Sequence, residues 1–373
     1  MKLNDLPTPA ALLDAQRLHH NIQRMQARLQ GLGVRLRPHV KTAKCVPVAE
    51  LQKAAGAQGL TVSTLKEAEQ FFAAGFDDLL YAVCIPPTKL AQARALRERG
   101  CRLTVTTDSL SGAQALVDSG HAFEVMIEID TDGHRAGVLP DAALLLDIGR
   151  LLHQGGQNLT GVMTHAGASY DCRSPQELMQ MAEQERSRCV HAAQRLRGAG
   201  LPCPEVSVGS TPTALAAQHL AGVTEVRAGV YVFQDLVMHG IGVATLDELA
   251  MSVLTTVIGH QTDKGWVLVD AGWMAMSRDR GTQDQALDWG YGAVCDESGD
   301  LIDGMWMHSA NQEHGILAWR RAGADDTLAE RFPVGTRLRI LPNHACATAA
   351  AFSEYQVLDA AGDVQTWDRF NGW

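Results

Sequence analysis

A lysine two residues past a histidine is the first candidate for chemistry. Arg37-Pro38-His39-Val40-Lys41-Thr42 follows a short apolar run. A lysine amine kept deprotonated by burial or neighbouring charge can form a Schiff base with a carbonyl compound. The alternative for Lys41 is an ordinary surface lysine at a strand end. Further on, Gly209-Ser210-Thr211-Pro212-Thr213 offers backbone N–H donors and hydroxyls of the kind that cradle a phosphate. In Glu225-Val226-Arg227-Ala228-Gly229-Val230-Tyr231, Gly229 permits close backbone approach and Tyr231 adds a hydroxyl. Neither segment matches a P-loop or a dinucleotide fingerprint, and each alone reads as an ordinary loop. With Lys41, they point to one phosphate-bearing, lysine-linked cofactor.

Three further clusters carry polar groups. Asp130-Thr131-Asp132-Gly133-His134-Arg135-Ala136-Gly137 shares its first acidic spacing with a calcium loop but lacks the correctly placed Gly and distal Glu. Either Arg135 reaches toward a ligand or the loop is salt-bridged. In Thr164-His165-Ala166-Gly167-Ala168-Ser169-Tyr170, His165 is a core histidine or a ring-stacking partner, and Tyr170 a polar wall. In Pro342-Asn343-His344-Ala345-Cys346, an extended backbone would put the imidazole and the thiol on one side. That pair suits zinc. Two protein ligands are too few for a structural zinc and fit an open catalytic one, although three would be commoner. The alternative is a buried cysteine beside a hydrogen-bonded histidine. Glu313 and His314 could back such a site or simply end a strand.

These motifs need a scaffold, and the chain supplies a regular one. Strand-like runs occur at Val34–Arg37, Leu60–Ser63, Leu79–Val83, Leu103–Thr106, Val125–Ile129, Leu159–Thr164, Val206–Val208 and Thr224–Arg227. Most are short and apolar or β-branched, as buried parallel strands are. Helical patterns lie between them, including Lys66–Ala74, Lys89–Arg99 and Pro175–Gly198, the last opened by Ser174-Pro175 as cap and first-turn proline. Eight such repeats predict a closed (β/α)8 TIM barrel, with an open doubly wound sheet as the alternative. In a barrel, active sites sit at the C-terminal strand ends, and Lys41, Arg135, His165, Gly209 and Gly229 each follow a strand-like run. After about residue 240 helical stretches vanish. Runs at Ser252–Ile258, Trp266–Asp270 and Arg337–Leu341, with turns at Ser298-Gly299 and Ala361-Gly362, predict a mainly β domain. All seven Trp lie beyond residue 265, which supports the same division. The expected domains are 1–240 and 241–373.

Composition excludes other classes. The 373 residues carry 32 basic and 42 acidic side chains, a net charge of −10, with no basic run of five. A nucleic-acid groove is not expected, because phosphate backbones need clustered Lys and Arg. Eight cysteines without a CxxC pair fit a reduced compartment. The N-terminal stretch does not read as a secretory signal, and no window of 18 apolar residues occurs. A cytoplasmic protein that does not span a membrane is expected.

Taken in order, these motifs resemble the D-serine dehydratase/D-threonine aldolase family of fold-type III pyridoxal-phosphate enzymes, from Leu6-Pro7-Thr8-Pro9 to Trp367. The resemblance implies an alanine racemase-like barrel, a C-terminal β domain, and a homodimer with active sites near the subunit interface. It implies that Lys41 carries pyridoxal 5'-phosphate (PLP), and that Gly209, Ser210, Thr211, Gly229 and Tyr231 surround its phosphate. Arg135 would approach the phenolic oxygen, and His165 and Tyr170 would line the ring. His344 and Cys346 would bind zinc, with manganese or another divalent ion as alternatives. Lys41, His344 and Cys346 would be catalytic.

The implied substrate is a small 3-hydroxy-D-amino acid. D-threo-3-hydroxyaspartate would give oxaloacetate and ammonia, and D-serine would give pyruvate and ammonia. The family's aldolases tend to carry His-x-Asp where this chain has His344-Ala345-Cys346, and thiolate favours zinc over harder ions. The cysteine therefore leans toward dehydration. The alternatives are an aldolase releasing glycine and an aldehyde, a racemase, and a PLP-binding protein without turnover.

Overall fold

The eight apolar runs form eight parallel strands in the computed structural model, which describes residues 2–321 and 327–373. Numbered in chain order from β1 (Ala10–Asp14), they are β2 (Arg35–Leu36), β3 (Leu60–Val62), β4 (Asp78–Cys84), β5 (Arg102–Thr107), β6 (Glu124–Glu128), β7 (Asn158–Met163), β8 (Glu205–Val208) and β9 (Glu225–Val226). Their spatial order is β2-β9-β8-β7-β6-β5-β4-β3. The ring closes just beyond β2, where Val40 N–H donates to Thr61 O at 2.9 Å and Thr61 N–H to Pro38 O at 2.7 Å. The sheet is therefore a closed barrel and not an open one.

Helices alternate with the strands: α1 (Ala15–Gly31), α2 (Val46–Ala54), α3 (Leu65–Ala73), α4 (Leu90–Glu98), α5 (Leu110–Asp118), α6 (Ala143–Gln154), α7 (Pro175–Gly198) and α8 (Thr211–Ala216). Several starts are fixed by side-chain caps. Thr64, Ser109 and Ser174 each accept a hydrogen bond from an N–H of the first turn. Each such cap contributes about 1 kcal/mol. The inward stripe of α7 contains Leu178, Ala182, Cys189, Val190, Ala192, Ala193 and Leu196, and also Glu185, a carboxylate on an otherwise apolar face.

The chain divides into two compact units, Gln23–Gly229 with Gly372–Trp373, and Met1–Ile22 with Val230–Asn371. The second unit thus begins at Val230 rather than 241, and it includes the N-terminal segment. The physical reason is strand pairing. Residues Ala10–Leu13 of β1 pair antiparallel with Leu254–Met251, and Leu12–Asp14 pair parallel with Gln356–Leu358.

This second unit is built on β10 (Met251–Gln261), β11 (Trp266–Val269), β12 (Ala293–Cys295), β13 (Leu301–Ala310), β14 (Gly315–Trp319), β15 (Arg337–Leu341), β16 (Glu354–Leu358) and β17 (Val364–Asp368). The order β11-β14-β13-β12-β15-β10 closes on itself, because β10 also pairs with β11. Val253, Val257, Val267, Val294, Met307, Leu317 and Ile340 pack together in its core. Helices do not vanish here as expected. Short ones persist at α9 (Leu236–Ile241), α10 (Trp273–Met276), α11 (Leu328–Arg331) and α12 (Ala345–Ala349). They are too short for a 3.6-residue pattern to show in sequence.

Candidate active site

In the barrel unit, the segment after β2 is clamped by Arg37. Its Nε donates to Glu225 Oε2 at 2.9 Å and its Nη1 to Asp78 Oδ1 at 2.8 Å. Beyond the clamp, His39 N–H donates to Ala228 O at 2.8 Å, and Lys41 N–H to His39 Nδ1 at 3.4 Å. The Lys41 side chain is exposed. Burial, then the charges of Lys41 and Arg227, hold the His39 imidazole well below its ordinary pKa. His165 donates Nδ1–H to Gly209 O at 3.1 Å. Burial, then Lys41, pushes it down to about 3. Two neutral imidazoles therefore flank the lysine.

Gly209 is held by Glu185. The carboxylate Oε1 accepts from Gly209 N–H at 3.0 Å and from Ala166 N–H at 2.9 Å, tying the segments after β8 and β7 together. Burial pushes the Glu185 carboxyl up. The buried Arg227 donates Nη1 to Ser207 Oγ at 2.6 Å and Nη2 to Thr164 O. Gly209 sits at φ +136°, and a Cβ there would lie 2.1 Å from Arg227 O. Ser210 caps α8 by accepting from Thr213 N–H at 3.2 Å, and its Oγ lies 2.9 Å from Ser169 Oγ. Thr211 is buried in the first turn of α8.

The remaining sequence candidates are placed as follows. Arg135 is exposed and forms an ion pair with the buried Glu128 at 3.6 Å, and its charge is felt at His165. The Tyr170 ring lies 6.3 Å from the His165 ring, tilted by 54°. A Cβ on Gly229 would meet His39 O at 3.0 Å, so the absence of a side chain lets these backbones approach. Tyr231 belongs to the second unit, buried in the turn Val230–Val232. The acidic loop at 130–133 spends carboxylate oxygens on local N–H groups. Asp130 Oδ1 accepts from Asp132 and Gly133, and Asp132 Oδ2 from Ala168.

His344 and Cys346 lie in the second unit. The segment is extended only as far as His344. His344 is extended (φ −132°, ψ 103°), but it caps α12, and Cys346 sits in the first helical turn. The strand ends because the segment is pinned to α9 and its N-terminus. Leu236 N–H donates to Pro342 O at 3.1 Å and Val237 N–H to Asn343 O at 3.1 Å, while Asp235 Oδ2 accepts from Ala345 N–H at 2.9 Å. The two side chains still meet by a hydrogen bond. Burial disfavours a charged imidazole, but Cys346, Asp279 and Asp235 outweigh it and push His344 up to about 11. Asp279 Oδ2 lies 2.7 Å from His344 Nδ1. Glu313 and His314 lie instead in the exposed turn between β13 and β14, where Asn311 N–H donates to His314 O at 2.8 Å. Among the described residues, no group of three or more His, Cys, Asp or Glu side chains is arranged to hold a metal ion.

Comparison with known proteins decides the family. Residues 13–237 match the family "Alanine racemase, N-terminal domain", and residues 250–358 match "Putative serine dehydratase domain". The chain is 63% identical over 373 residues to the D-threo-3-hydroxyaspartate dehydratase of Delftia sp. (strain HT23), covering 99% of this chain and 98% of that protein. The chain belongs to the D-threo-3-hydroxyaspartate dehydratase family of fold-type III PLP enzymes. The solved structure of the Delftia dehydratase matches this fold-type III chain with a TM-score of 0.99 at 62% identity, covering 100% of both. Variants of that enzyme with histidine or cysteine replaced by alanine are also solved, the cysteine variant in a metal-free form. The D-serine dehydratase of Dictyostelium discoideum is 30% identical over 96% of this chain and 94% of its own length.

As a fold-type III family member, the chain is a PLP-dependent lyase with an N-terminal alanine racemase-like barrel and a C-terminal mainly β domain. The barrel residues fit this cofactor. An exposed lysine stands beside two neutral imidazoles, and the Cβ-less Gly209 lets the Arg227 backbone pack against the segment that leads into α8. The sequence pattern assigned no role to His39, Glu185 or Asp279. Glu185 carried a usable signal, a carboxylate on the apolar face of α7. Gly209→Ala is expected to destabilise the lyase by more than about 1 kcal/mol, since φ is positive and the new Cβ meets a carbonyl. Denaturant unfolding with and without PLP measures this, and retention of PLP through gel filtration should fall as well.

Proposed function

We propose that the chain dehydrates 3-hydroxy-D-amino acids. D-threo-3-hydroxyaspartate would give oxaloacetate and ammonia, with D-serine to pyruvate and ammonia as a related activity. The supporting observation is the His344–Cys346 pair in a chain 63% identical to a D-threo-3-hydroxyaspartate dehydratase. The substituted histidine and cysteine of that relative also stand two positions apart, and its cysteine variant is described as metal-free.

In this reading the bound cofactor supplies an electron sink for the α-carbon. Lys41 holds the cofactor between turnovers and takes the α-proton on Nζ during them. Gly209, Ser210, Thr211, Gly229 and Tyr231 hold the phosphate. His165 keeps its ring neutral and fixed through Gly209 O, Tyr170 would line the same side, and Arg135 would approach the phenolic oxygen. His344 and Cys346 hold zinc, or manganese or another divalent ion, which when bound supplies Lewis acidity at the β-hydroxyl. Loss of water and hydrolysis of the resulting imine release the oxo acid and ammonia. The enzyme is read as a cytoplasmic homodimer acting on a small-molecule D-amino acid.

Product analysis with 3-hydroxy-D-aspartate, D-serine and D-threonine, with and without zinc, tests this reading. Ammonia and oxo acid are the expected products. Glycine and acetaldehyde from D-threonine, without oxo acid from any substrate, would make the chain an aldolase. Racemisation without ammonia, or bound PLP without turnover, would also overturn the reading.

A further inference from the structure

We propose that Asp279 is the positioning residue for His344: it holds the Nδ1 proton, so that Nε2 is the nitrogen that gives up its proton and, with Cys346, receives a divalent metal. This rests on the metal reading of His344 and Cys346 above.

The geometry singles out Asp279. Its Oδ2 lies 2.7 Å from His344 Nδ1. A carboxylate can only accept at neutral pH, so Nδ1 is protonated and donates, and Nε2 is the nitrogen open to exchange its proton for a metal. The other oxygen, Oδ1, accepts from Gly281 N–H at 2.8 Å, and Asp279 N–H donates to Ser277 Oγ at 3.2 Å. Ser277 itself has φ +70°, a conformation unfavourable for a residue with a Cβ. The neighbouring cations are engaged elsewhere. Arg280 pairs with Asp288 at 2.8 Å, and Arg278 lies over the Trp273 ring at 4.7 Å.

The loop is also fastened to the segment it serves. Asn343, immediately before His344, is buried and donates Nδ2 to Asp279 O at 3.1 Å and to Gly290 O at 2.6 Å. Its Oδ1 accepts from Thr282 Oγ1 at 3.1 Å. Acceptor and imidazole are thus held to one another through side chain and backbone. Asp235 is also near His344, but both its oxygens are used by the backbone N–H groups of Met238 and Ala345. A carboxylate on the distal nitrogen of a metal-binding histidine fixes the tautomer and raises ligand basicity, and its loss typically weakens metal affinity about 10–100-fold.

The test compares wild type, Asp279→Ala, Asp279→Asn and His344→Ala. Each protein is stripped of metal and titrated with zinc against a chromophoric chelator, then with cobalt(II) as a spectroscopic reporter of thiolate ligation. Asp279→Ala should bind zinc about 10–100-fold more weakly and shift the cobalt spectrum. Asp279→Asn has one acceptor oxygen for two N–H donors and should fall between Ala and wild type. Thermal melts of the metal-free proteins separate a structural role from this one. A lowered melting temperature with zinc affinity within twofold of wild type in both Asp279 variants would overturn the inference, provided His344→Ala loses binding. If wild type binds no better than His344→Ala, the metal reading fails and this inference falls with it.

Discussion

Lys41→Ala should abolish the visible absorbance of the lysine-bound cofactor and lower turnover by about 10⁴-fold, the upper end for loss of a general base. The loss is expected to be large because no neighbour can take over. Lys44 is three residues away, but its Nζ pairs with the buried Glu67 at 3.1 Å. Burial is the main cause that holds the His165 imidazole below its ordinary pKa, and it persists when Lys41 is removed, so His165 makes a poor base there. His39 is lowered for the same reasons. Lys41 is exposed and the segment is clamped through Arg37, so the substitution should leave the unfolding midpoint unchanged. Borohydride trapping followed by peptide mass analysis checks the assignment. A reduced adduct on another lysine, or a surviving absorbance band in the variant, would remove Lys41 from the mechanism.

His344→Ala and Cys346→Ala should each lower ammonia release about 10³-fold while leaving the cofactor absorbance in place. Lewis-acid stabilisation of a leaving oxygen is worth several kcal/mol, and each 1.36 kcal/mol is about tenfold in rate. The absorbance should persist because Lys41, His39 and His165 all belong to the barrel unit, whereas the pair is carried by the β unit. His344→Ala also leaves Asp279 without its imidazole partner, so some loss of stability is expected there. Cys346 is half-buried, and its truncation should be milder for folding. Chelation of wild type should reproduce the catalytic loss, and added zinc should reverse it. Chelated wild type working at full rate would exclude a metal role for both residues.

The barrel was legible because buried parallel strands are short apolar runs separated by helical periodicity. All eight predicted runs overlap an observed strand, and the Ser174-Pro175 start of α7 appears with Ser174 accepting from Glu177 N–H. The β unit was legible in kind but not in extent. β1 is a five-residue segment, four apolar residues and Asp14, whose partners lie in β10 and β16, and nothing local to it tells which sheet it joins. The His344–Cys346 pair was recognisable from residue type and spacing, yet its backbone was not. The turn into α12 is imposed by bonds from α9 and Asp235, more than a hundred residues upstream.

By itself, the sequence determined which groups lie in the segments that follow the strands: Lys41, Arg135, His165, Gly209 and Gly229. Strand period and chain direction place them there without long-range information. Only the tertiary structure decided their chemical state and orientation. His39 and His165 are neutral because burial and a shared lysine surround them. Gly209 is fixed because Glu185 reaches it from another element, and Asp279, 65 residues before His344, holds that imidazole. Desolvation and hydrogen bonding depend on which groups meet in space, and local sequence pattern does not encode those meetings.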